Sequence, residues 1–407
     1  MSKVAFITLG CKVNQYETNA MSQEFIEKGY ELVEHHKKAD IYVINTCTVT
    51  NMSDRKSRQM LRRVKELNPD SIVIACGCYV QVAKDEVAKI EDIDLILGNN
   101  EKKNIVEHLE QYQKDKKRQL EIEDLMQQRE FVEFGDVTYT EKTRAVVKIQ
   151  DGCDRFCSYC IIPYARGRVR SRKPEGIISE ITKIAQEGIK EVVITGIHVA
   201  SYGKDFKENY GLINLLEDLN KIEGIERIRL SSIEPLILDE QFINRLSKLE
   251  KICHNFHLSL QSGCDETLKR MNRRYNTEQF KTVVNLIRNT YKDAILTADV
   301  IVGFPGETEE EFEKTYKFLE DVKFYKTHVF KYSPRKGTKA AVMENQIDGN
   351  IKEQRSKKLI ELSNNFEKEY NESYIGKTVE VLWEEEKEGI YKGHTQNYLL
   401  AYYKPEK

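Results

Sequence analysis

Long apolar runs are absent from the sequence, whose apolar stretches are far shorter than the ~20 residues of a membrane-spanning helix. An excess of one charge is also absent, since 64 Lys+Arg stand against 66 Asp+Glu. The first residues form only a short apolar segment, which runs into Gly10 and Cys11 rather than into a small-residue cleavage site. These absences predict a soluble, cytoplasmic protein with no membrane partner, and its overall charge gives no sign of nucleic acid.

The length and the cysteine content set the next limits. A chain of 407 residues predicts two or three domains, and a hydrophobic content of 40% excludes global disorder. Nine cysteines are present. Because we expect a reducing compartment, disulfide bonds are a poor explanation for them. Metal ligation, catalysis or burial must account for these thiols.

The N-terminal part alternates short apolar runs with amphipathic helical stretches, which predicts a doubly wound parallel-sheet α/β domain over residues 1–125. Between about residues 105 and 134 the chain turns polar, which predicts a terminal helix and then a linker. The four predicted strands are Val4–Thr8, Ile41–Asn45, Ile72–Cys76 and Asp94–Leu97.

A second series of strand–helix units predicts a partial, six-unit parallel barrel within residues 140–370, closed by a long charged helix over Ile351–Tyr370. Residues 373–407 alternate at period two, which predicts a short antiparallel β module. The six predicted barrel strands are Arg144–Gln150, Glu191–Thr195, Ile225–Ser231, Asn255–Leu260, Ile295–Val302 and Thr327–Tyr332.

Three cysteines lie close together after the first barrel strand, in the C-x3-C-x2-C pattern of Cys153, Cys157 and Cys160. Three thiolates on so tight a loop can hold three irons of a four-iron four-sulfur cluster and leave the fourth iron open to a substrate. The alternative is a structural zinc site, but no fourth Cys or His ligand lies within 35 residues downstream. The pattern therefore favours a cluster.

Three further cysteines each follow a predicted N-terminal strand, at Cys11, Cys47 and Cys78. Turns after parallel strands meet at one sheet edge, so these thiols should converge. Burial as small apolar residues is the alternative for any one of them. Three in equivalent turns favour a shared site, whereas Cys76, Cys253 and Cys264 are assigned to packing.

Basic residues are concentrated in three stretches, Arg55–Lys65, Tyr164–Lys173 and Lys269–Arg274, none of which contains an acidic residue. Each stretch follows a predicted active-site loop or strand end. One such stretch is most simply a solvated face, but three beside one cleft favour contact with RNA phosphates. The predicted RNA-binding residues are Arg62, Arg63, Arg166, Arg168, Arg170, Arg172, Arg273 and Arg274.

At its motifs the sequence resembles the radical S-adenosylmethionine methylthiotransferases over nearly the whole chain. The resemblance rests on five stretches, which are Thr8–Glu17, Asn45–Val49, Gly77–Gln81, Cys153–Arg168 and Leu258–Gly263. Residues Cys11–Thr18 look most like the branch that acts on N6-threonylcarbamoyladenosine next to the tRNA anticodon. The C-terminal module resembles a TRAM module but is shorter, so it is either an incomplete fragment or a reduced module.

The resemblance implies two 4Fe-4S clusters, an auxiliary one on Cys11, Cys47 and Cys78 and a radical one on Cys153, Cys157 and Cys160. It also implies S-adenosylmethionine, tRNA and an external electron donor, with the two clusters carrying the chemistry. We expect a monomer. The expected cofactor contacts are Tyr159, from the family pattern, and residues at or near strand ends, Thr195, Gly196, Glu234, Gln261 and Asp299.

Three other functions stay open at this point. Two are methylthiolation of isopentenyladenosine in tRNA or of a ribosomal protein, against which the residues after Cys11 argue. The third is an iron–sulfur redox or electron-carrier protein that binds RNA without group transfer.

Overall fold

The structure, a computed structural model, describes residues 1–135, 137 and 143–405. The chain forms two compact units. The first contains Met1–Thr140, Lys148–Phe156 and Cys160–Gly176, and the second contains Glu141–Val147, Cys157–Tyr159 and Ile177–Lys407. The predicted domain limits at residues 140 and 407 lie outside the described residues. Within the described part, no helix has the length and apolarity to cross a bilayer.

A parallel six-stranded sheet with the order β2-β1-β3-β4-β5-β6 forms the centre of the first unit. The predicted α/β sheet is confirmed, with its four strands in their expected places. Sequence reasoning missed β2 and β6, which are three-residue, partly exposed edge strands without an apolar run. The strands are β1 Lys3–Thr8, β2 Glu31–Val33, β3 Ile41–Thr46, β4 Ile72–Gly77, β5 Leu95–Leu97 and β6 Gln119–Glu121.

Helices cover both faces of this sheet, and each face has its own buried apolar cluster. Central strands are therefore buried on both sides, as all six residues of β3 are. The helices are α1 Lys12–Glu27, α2 Asn51–Leu67, α3 Cys78–Val82, α4 Lys84–Val87, α5 Ile105–Asp115 and α6 Ile162–Arg166, with a 3-10 turn at Glu101–Asn104.

Two further sheets contain the strands of the predicted partial barrel. One sheet has the order β10-β9-β7-β8 and a second the order β11-β12-β13, and parallel bridges Ile228–Ile252 and Ile233–Leu258 continue β10 towards β11. Six of these strands, of four to eight residues, lie where the sequence predicts them, and β9–β10, β11–β12 and β12–β13 pair in parallel. The strands are β7 Arg144–Asp151, β8 Arg170–Ser171, β9 Glu191–Gly196, β10 Arg227–Leu230, β11 Asn255–Gln261, β12 Ile295–Val302 and β13 Lys326–Lys331.

Helices separate these strands along the chain, and a 24-residue helix follows the last of them. They are α7 Pro174–Gln186, α8 Leu212–Asn220, α9 Glu240–Leu246, α10 Asp265–Arg270, α11 Thr277–Thr290, α12 Glu309–Val322 and α13 Gly349–Glu372, with 3-10 turns at Val199–Ser201, Pro235–Ile237 and Lys339–Val342.

The C-terminal β module is an antiparallel three-stranded sheet of β14 Val381–Lys387, β15 Ile390–Thr395 and β16 Leu400–Tyr403. Three short strands have little core of their own. Arginines of the barrel strands hold the module: Arg227 donates to the carbonyl of His394 at 2.9 Å, and Arg229 donates to that of Gln396 at 3.2 Å. The module is therefore anchored to the barrel by buried cations.

Candidate functional site

Three cysteines lie at the carboxyl edge of the first unit's sheet. Cys11 is the N-cap of α1, Cys47 directly follows β3, and Cys78 begins α3 directly after β4. Parallel strands end at this edge, so the turns bring the three residues together. Gly10, at φ +102°, packs so closely that a Cβ there would lie 2.6 Å from the Cys47 Sγ. A side chain at position 10 would therefore displace the thiol.

The three thiols are close enough to affect one another's ionisation. Burial raises the pKa of Cys11, and Cys78 raises it further. The pKa of Cys47 is likewise raised, first by burial and also by Cys78 and Cys11. Whole-residue exposure differs, since Cys11 is exposed and the other two are buried. The Cys11 thiol group itself is nevertheless buried, and this burial is the main cause of its raised pKa.

In the described part of the chain, no three His, Cys, Asp or Glu side chains are arranged to hold one metal ion. Bound iron would deprotonate the thiols and reverse the effect of burial on their pKa.

A buried network of charged side chains lies next to Cys78. Arg166 donates from Nε to the Cys78 Sγ at 3.1 Å, from Nη2 to the Asn14 Oδ1 at 2.7 Å, and from both Nη atoms to Glu17. Lys102 and Lys148 donate to the same carboxylate at 2.5 and 2.7 Å. Burial alone would raise the pKa of Glu17, but Arg166 and the two lysines hold it well below its usual value.

A second carboxylate, Asp151, completes the network. Lys148 donates to it at 2.6 Å, and Arg166 and Arg170 approach it at 3.4 and 3.7 Å. Burial opposes its ionisation, but Lys148 and the arginines lower its pKa to about 2. Four buried cations thus face two buried carboxylates, and the network carries an excess of two positive charges.

That excess provides the test of whether the residues fit an iron–sulfur cluster. Burying unbalanced charge is costly, so a counter-charge is expected beside the network. A four-iron core with three thiolates is an anion, and the Cys78 sulfur accepts a hydrogen bond from the network itself. The residues present therefore fit a cluster on Cys11, Cys47 and Cys78.

The C-x3-C-x2-C loop follows β7. The backbone N–H of Arg155 donates to the Cys153 Sγ at 3.5 Å, and all three cysteines are half-buried. Cys153 and Cys160 belong to the first unit and Cys157 to the second. A donor on sulfur fits a thiolate, so the surroundings of the Cys153 sulfur suit a cluster ligand.

Within the second unit, Cys157 has its own arginine. Arg273 donates to the Cys157 Sγ at 3.2 Å and to the Tyr275 hydroxyl at 3.0 Å. Burial alone would lower the pKa of Arg273, but Tyr159, Tyr275 and Cys157 raise it well above its usual value. A guanidinium on a ligand sulfur thus occurs at both cysteine sites.

The expected cofactor contacts fall in two groups. Burial raises the pKa of Tyr275, with Glu234 and Cys157 among its charged neighbours, so Glu234 lies in the Cys157 neighbourhood. Glu234 also pairs with His198 at 3.2 Å. Tyr159 meets Phe304 edge to face, at 6.4 Å between ring centres.

The other expected contacts lie along the barrel strands. Thr195 and Gly196 end β9, and Gln261 ends β11 with φ +69°. Asp299 lies within β12 rather than at its end, and His257 bonds its carboxylate at 3.1 Å.

Three of the eight predicted RNA-binding residues are buried: Arg166, Arg170 and Arg172 are at most 4% exposed. Arg273 is half-buried and donates to Cys157. The guanidinium groups of the three buried arginines pair with groups of the first unit, such as Glu17 for Arg166, Asn100 for Arg170 and Glu133 for Arg172. The exposed or half-exposed members of the predicted set are Arg62, Arg63, Arg168 and Arg274.

Sequence reasoning missed Asn14, Glu17, Lys102 and Lys148 altogether. A signal was available for two of them, since Asn14 and Glu17 lie three residues apart and follow Cys11 on one face of α1. Lys102 and Lys148 come from distant segments, and the sequence carries no pattern that links them to Cys11.

Comparisons with known proteins bear on both units. The Radical SAM superfamily matches residues 147–319, and the Uncharacterized protein family UPF0004 matches residues 3–98. The Bacillus subtilis threonylcarbamoyladenosine tRNA methylthiotransferase MtaB is 43% identical, with 99% of this chain and 91% of that protein covered. The Aquifex aeolicus protein of the same name is 42% identical, with coverages of 98% and 95%.

A tRNA-2-methylthio-N(6)-dimethylallyladenosine synthase from Clostridium botulinum is 37% identical, with 93% of this chain and 85% of that protein covered. Among solved structures, the radical S-adenosylmethionine methyltransferase TsrM from Kitasatospora setae, with cobalamin and a [4Fe-4S] cluster bound, superposes with a TM-score of 0.60. It is 16% identical and covers 84% of this chain and 77% of its own, so it shows a shared fold alone.

Proposed function

Because this chain belongs to the radical S-adenosylmethionine tRNA methylthiotransferases, we propose that it methylthiolates carbon 2 of N6-threonylcarbamoyladenosine next to the anticodon of tRNA, by 5'-deoxyadenosyl radical chemistry. One observation carries the proposal: three thiols converge at a sheet edge against a buried positive excess, in a chain that also holds a separate C-x3-C-x2-C loop. Two sites for anionic clusters match a reaction that needs both a radical and a sulfur donor.

In this proposal the auxiliary cluster lies on Cys11, Cys47 and Cys78 in residues 1–125, and the radical cluster lies on Cys153, Cys157 and Cys160 in residues 140–370. When bound, the two clusters supply reductive cleavage of S-adenosylmethionine and the sulfur that is inserted. The electron comes from an external donor. We further propose that the protein acts as a monomer in the cytoplasm, where its tRNA is found.

The chain's own residues hold these sites in place. Arg273 and the Arg155 amide donate to sulfurs of the loop, and Arg166 donates to the Cys78 sulfur. Donors on sulfur stabilise thiolates and restrict the direction in which each side chain points. Tyr159, Thr195, Gly196, Glu234, Gln261 and Asp299 are proposed to bind S-adenosylmethionine.

The residues proposed to contact RNA are Arg62, Arg63 and Arg168 of the first unit, and Arg274 and the module at residues 373–407 of the second unit. Arg62 and Arg63 are exposed on α2, which begins four residues after Cys47. Phosphate contacts of this kind release counterions, so binding should weaken with salt by a slope of ~0.9 per contact on a duplex stem. Replacing both with Ala should flatten that slope, whereas replacing the exposed Lys357 and Lys368 of α13 should not.

The substrate assignment favours threonylcarbamoyladenosine because two relatives named for it are 43% and 42% identical, against 37% for the dimethylallyladenosine relative. In the direct test the protein is reconstituted without oxygen and supplied with reductant and S-adenosylmethionine. It is then given tRNA that carries either N6-threonylcarbamoyladenosine or isopentenyladenosine. Mass spectrometry of nucleosides should show the methylthio group on threonylcarbamoyladenosine only. Modification of isopentenyladenosine instead would show that the chain belongs to the isopentenyladenosine branch. If no 5'-deoxyadenosine formed at all, the proposal of a radical enzyme would be refuted.

The division of labour between the two sites has its own test. Cys157→Ala should abolish 5'-deoxyadenosine formation and keep about four irons, whereas Cys47→Ala should keep cleavage and lose sulfur insertion. The matched controls are Cys253→Ala and Cys76→Ala, which replace buried thiols of the same units. Equal loss of both activities in Cys157→Ala and Cys47→Ala would contradict two separate sites.

A further inference from the structure

The buried network beside Cys78 includes a hydrogen bond to the sulfur of that cysteine. Arg166 is completely buried, and each of its three guanidinium nitrogens has an acceptor. Glu17 and Asn14 occupy the two terminal nitrogens, which leaves Nε for the Cys78 Sγ at 3.1 Å. Glu17 and Asn14 thus hold the guanidinium group in the orientation that directs Nε at the sulfur.

Resting on the proposed function, we propose that Arg166 is a positioning residue of the auxiliary cluster, which fixes the Cys78 sulfur and favours the cluster's reduced, more negative form. The step in question is the uptake of one electron from an external reductant, with no bond broken and no proton moved. A permanent cation and a donated hydrogen bond at a ligand sulfur both stabilise the added negative charge.

The positive excess of the network gives the proposal its direction. Four cations surround two carboxylates, so the surroundings of Cys78 remain positive after all internal pairing. Glu17 reduces the net positive charge of these surroundings, since its carboxylate accepts hydrogen bonds from Arg166, Lys102 and Lys148 together. Removing Arg166 and removing Glu17 should therefore move the cluster's potential in opposite directions.

Arg166 also lies on the segment that leaves the C-x3-C-x2-C loop, six residues after Cys160. Helix α6 packs against α3, which begins with Cys78, and Asn99 braces the pair by donating to the carbonyl of Ala165 at 2.7 Å. The segment from Cys160 to Gly176, which begins with the last cysteine of the loop, therefore also carries the hydrogen-bond donor to Cys78, within the first compact unit.

The test isolates the auxiliary cluster in the full chain by replacing Cys153, Cys157 and Cys160 with Ala, followed by anaerobic reconstitution. Iron and sulfide content are measured first, and the midpoint potential is then determined by titration with dithionite, followed by electron paramagnetic resonance. In this background Arg166→Gln should make the reduction equilibrium at least about tenfold less favourable, ~59 mV for one electron. Glu17→Gln should shift the midpoint to a more positive value.

Two variants separate positioning from packing. Arg166→Lys keeps the charge and should recover part of the shift. Arg118→Gln replaces another arginine of the same unit, which donates to the carbonyls of Ile93 and Ile90, and should leave the midpoint unchanged. Where Arg166→Gln takes up no cluster, Glu17→Gln/Arg166→Gln restores the charge balance, and its midpoint should be more negative than that of Glu17→Gln alone.

The outcomes distinguish this inference from the proposed function. An unchanged midpoint in a cluster-bearing Arg166→Gln protein, or shifts of the same sign in the Arg166→Gln and Glu17→Gln proteins, would overturn the role of Arg166 and leave the proposed reaction standing. A parent without the three loop cysteines that binds no cluster at all, although Arg166 is present, would overturn the second cluster itself.

Discussion

Replacing Arg229 with Met should loosen the C-terminal β module from the barrel. Arg229 is buried in β10 and holds Glu191 through two hydrogen bonds of 2.7 and 3.2 Å. Its other contacts reach the module, where it donates to the Gln396 carbonyl at 3.2 Å and lies 4.5 Å from the centre of the Tyr398 ring. The substitution removes both of these contacts between the barrel and the turn that joins β15 to β16.

The magnitude follows from those two contacts. A hydrogen bond from a charged donor contributes ~1.5–3 kcal/mol, and a desolvated cation over an aromatic ring up to ~2 kcal/mol. We therefore expect the free energy of local opening of the module to fall by about 3 kcal/mol, which is on the order of a hundredfold in the opening equilibrium. Glu191 keeps its hydrogen bond from Arg144 at 2.6 Å. The free energy of opening of the barrel strands should therefore fall by less than that of the module.

Hydrogen exchange of the full-length protein measures this opening directly. Amides of residues 381–403 should exchange about a hundredfold faster in Arg229→Met, and those of β11 and β12 should change little. Arg245→Met is the matched control, because Arg245 pairs with Glu217 on the barrel helices and contacts no module residue that the structure describes. Unchanged module exchange in Arg229→Met would refute the anchoring argument.

Two further predictions concern the first unit. Burial and Glu107 raise the pKa of Glu24 to about 7, above its unfolded value, so the stability it contributes is present at low pH and is lost as the pH rises through 7. Glu24→Gln should therefore stabilise the protein by about 1–2 kcal/mol at about pH 8 and change little at about pH 4, as read from thermal unfolding; an equal effect at both values would exclude this cause. Gly77→Ala should cost about 3 kcal/mol or more and reduce iron uptake at the auxiliary site, because its Cβ would lie 2.4 Å from the Thr46 carbonyl oxygen at φ +100°. Gly29→Ala, also at positive φ but with no atom within 4 Å of the new Cβ, should cost only about 1 kcal/mol and keep the iron; similar losses in both would point to backbone strain alone.

The fold was predictable where the sequence has strong periodic patterns. Strands buried on both faces, such as β3 and β4, are continuous apolar runs and were placed to within a residue. The short edge strand β6 was not predicted and falls in a stretch interpreted as a linker, because three residues with polar neighbours carry no detectable pattern.

The candidate site was predictable for a related reason. Parallel topology places every strand-to-helix turn at one edge, so the positions of Cys11, Cys47 and Cys78 in the sequence already implied that they meet. The same reasoning could not show whether an arginine is buried in the protein or exposed on its surface. Arg166 and Arg168 are two residues apart in one basic stretch, yet the first is completely buried and the second is half-exposed.

The sequence by itself determined the α/β class, the positions of the long strands along the chain and the two groups of three cysteines, because chain direction and hydrophobic period are local properties. Only the tertiary structure decided the environment of those cysteines. Glu17, Lys102, Lys148 and Arg166 are separated by up to 149 residues along the chain, yet they share one buried set of hydrogen bonds. The net charge beside Cys78 depends on how distant segments of the chain pack together. A local sequence pattern therefore cannot predict it.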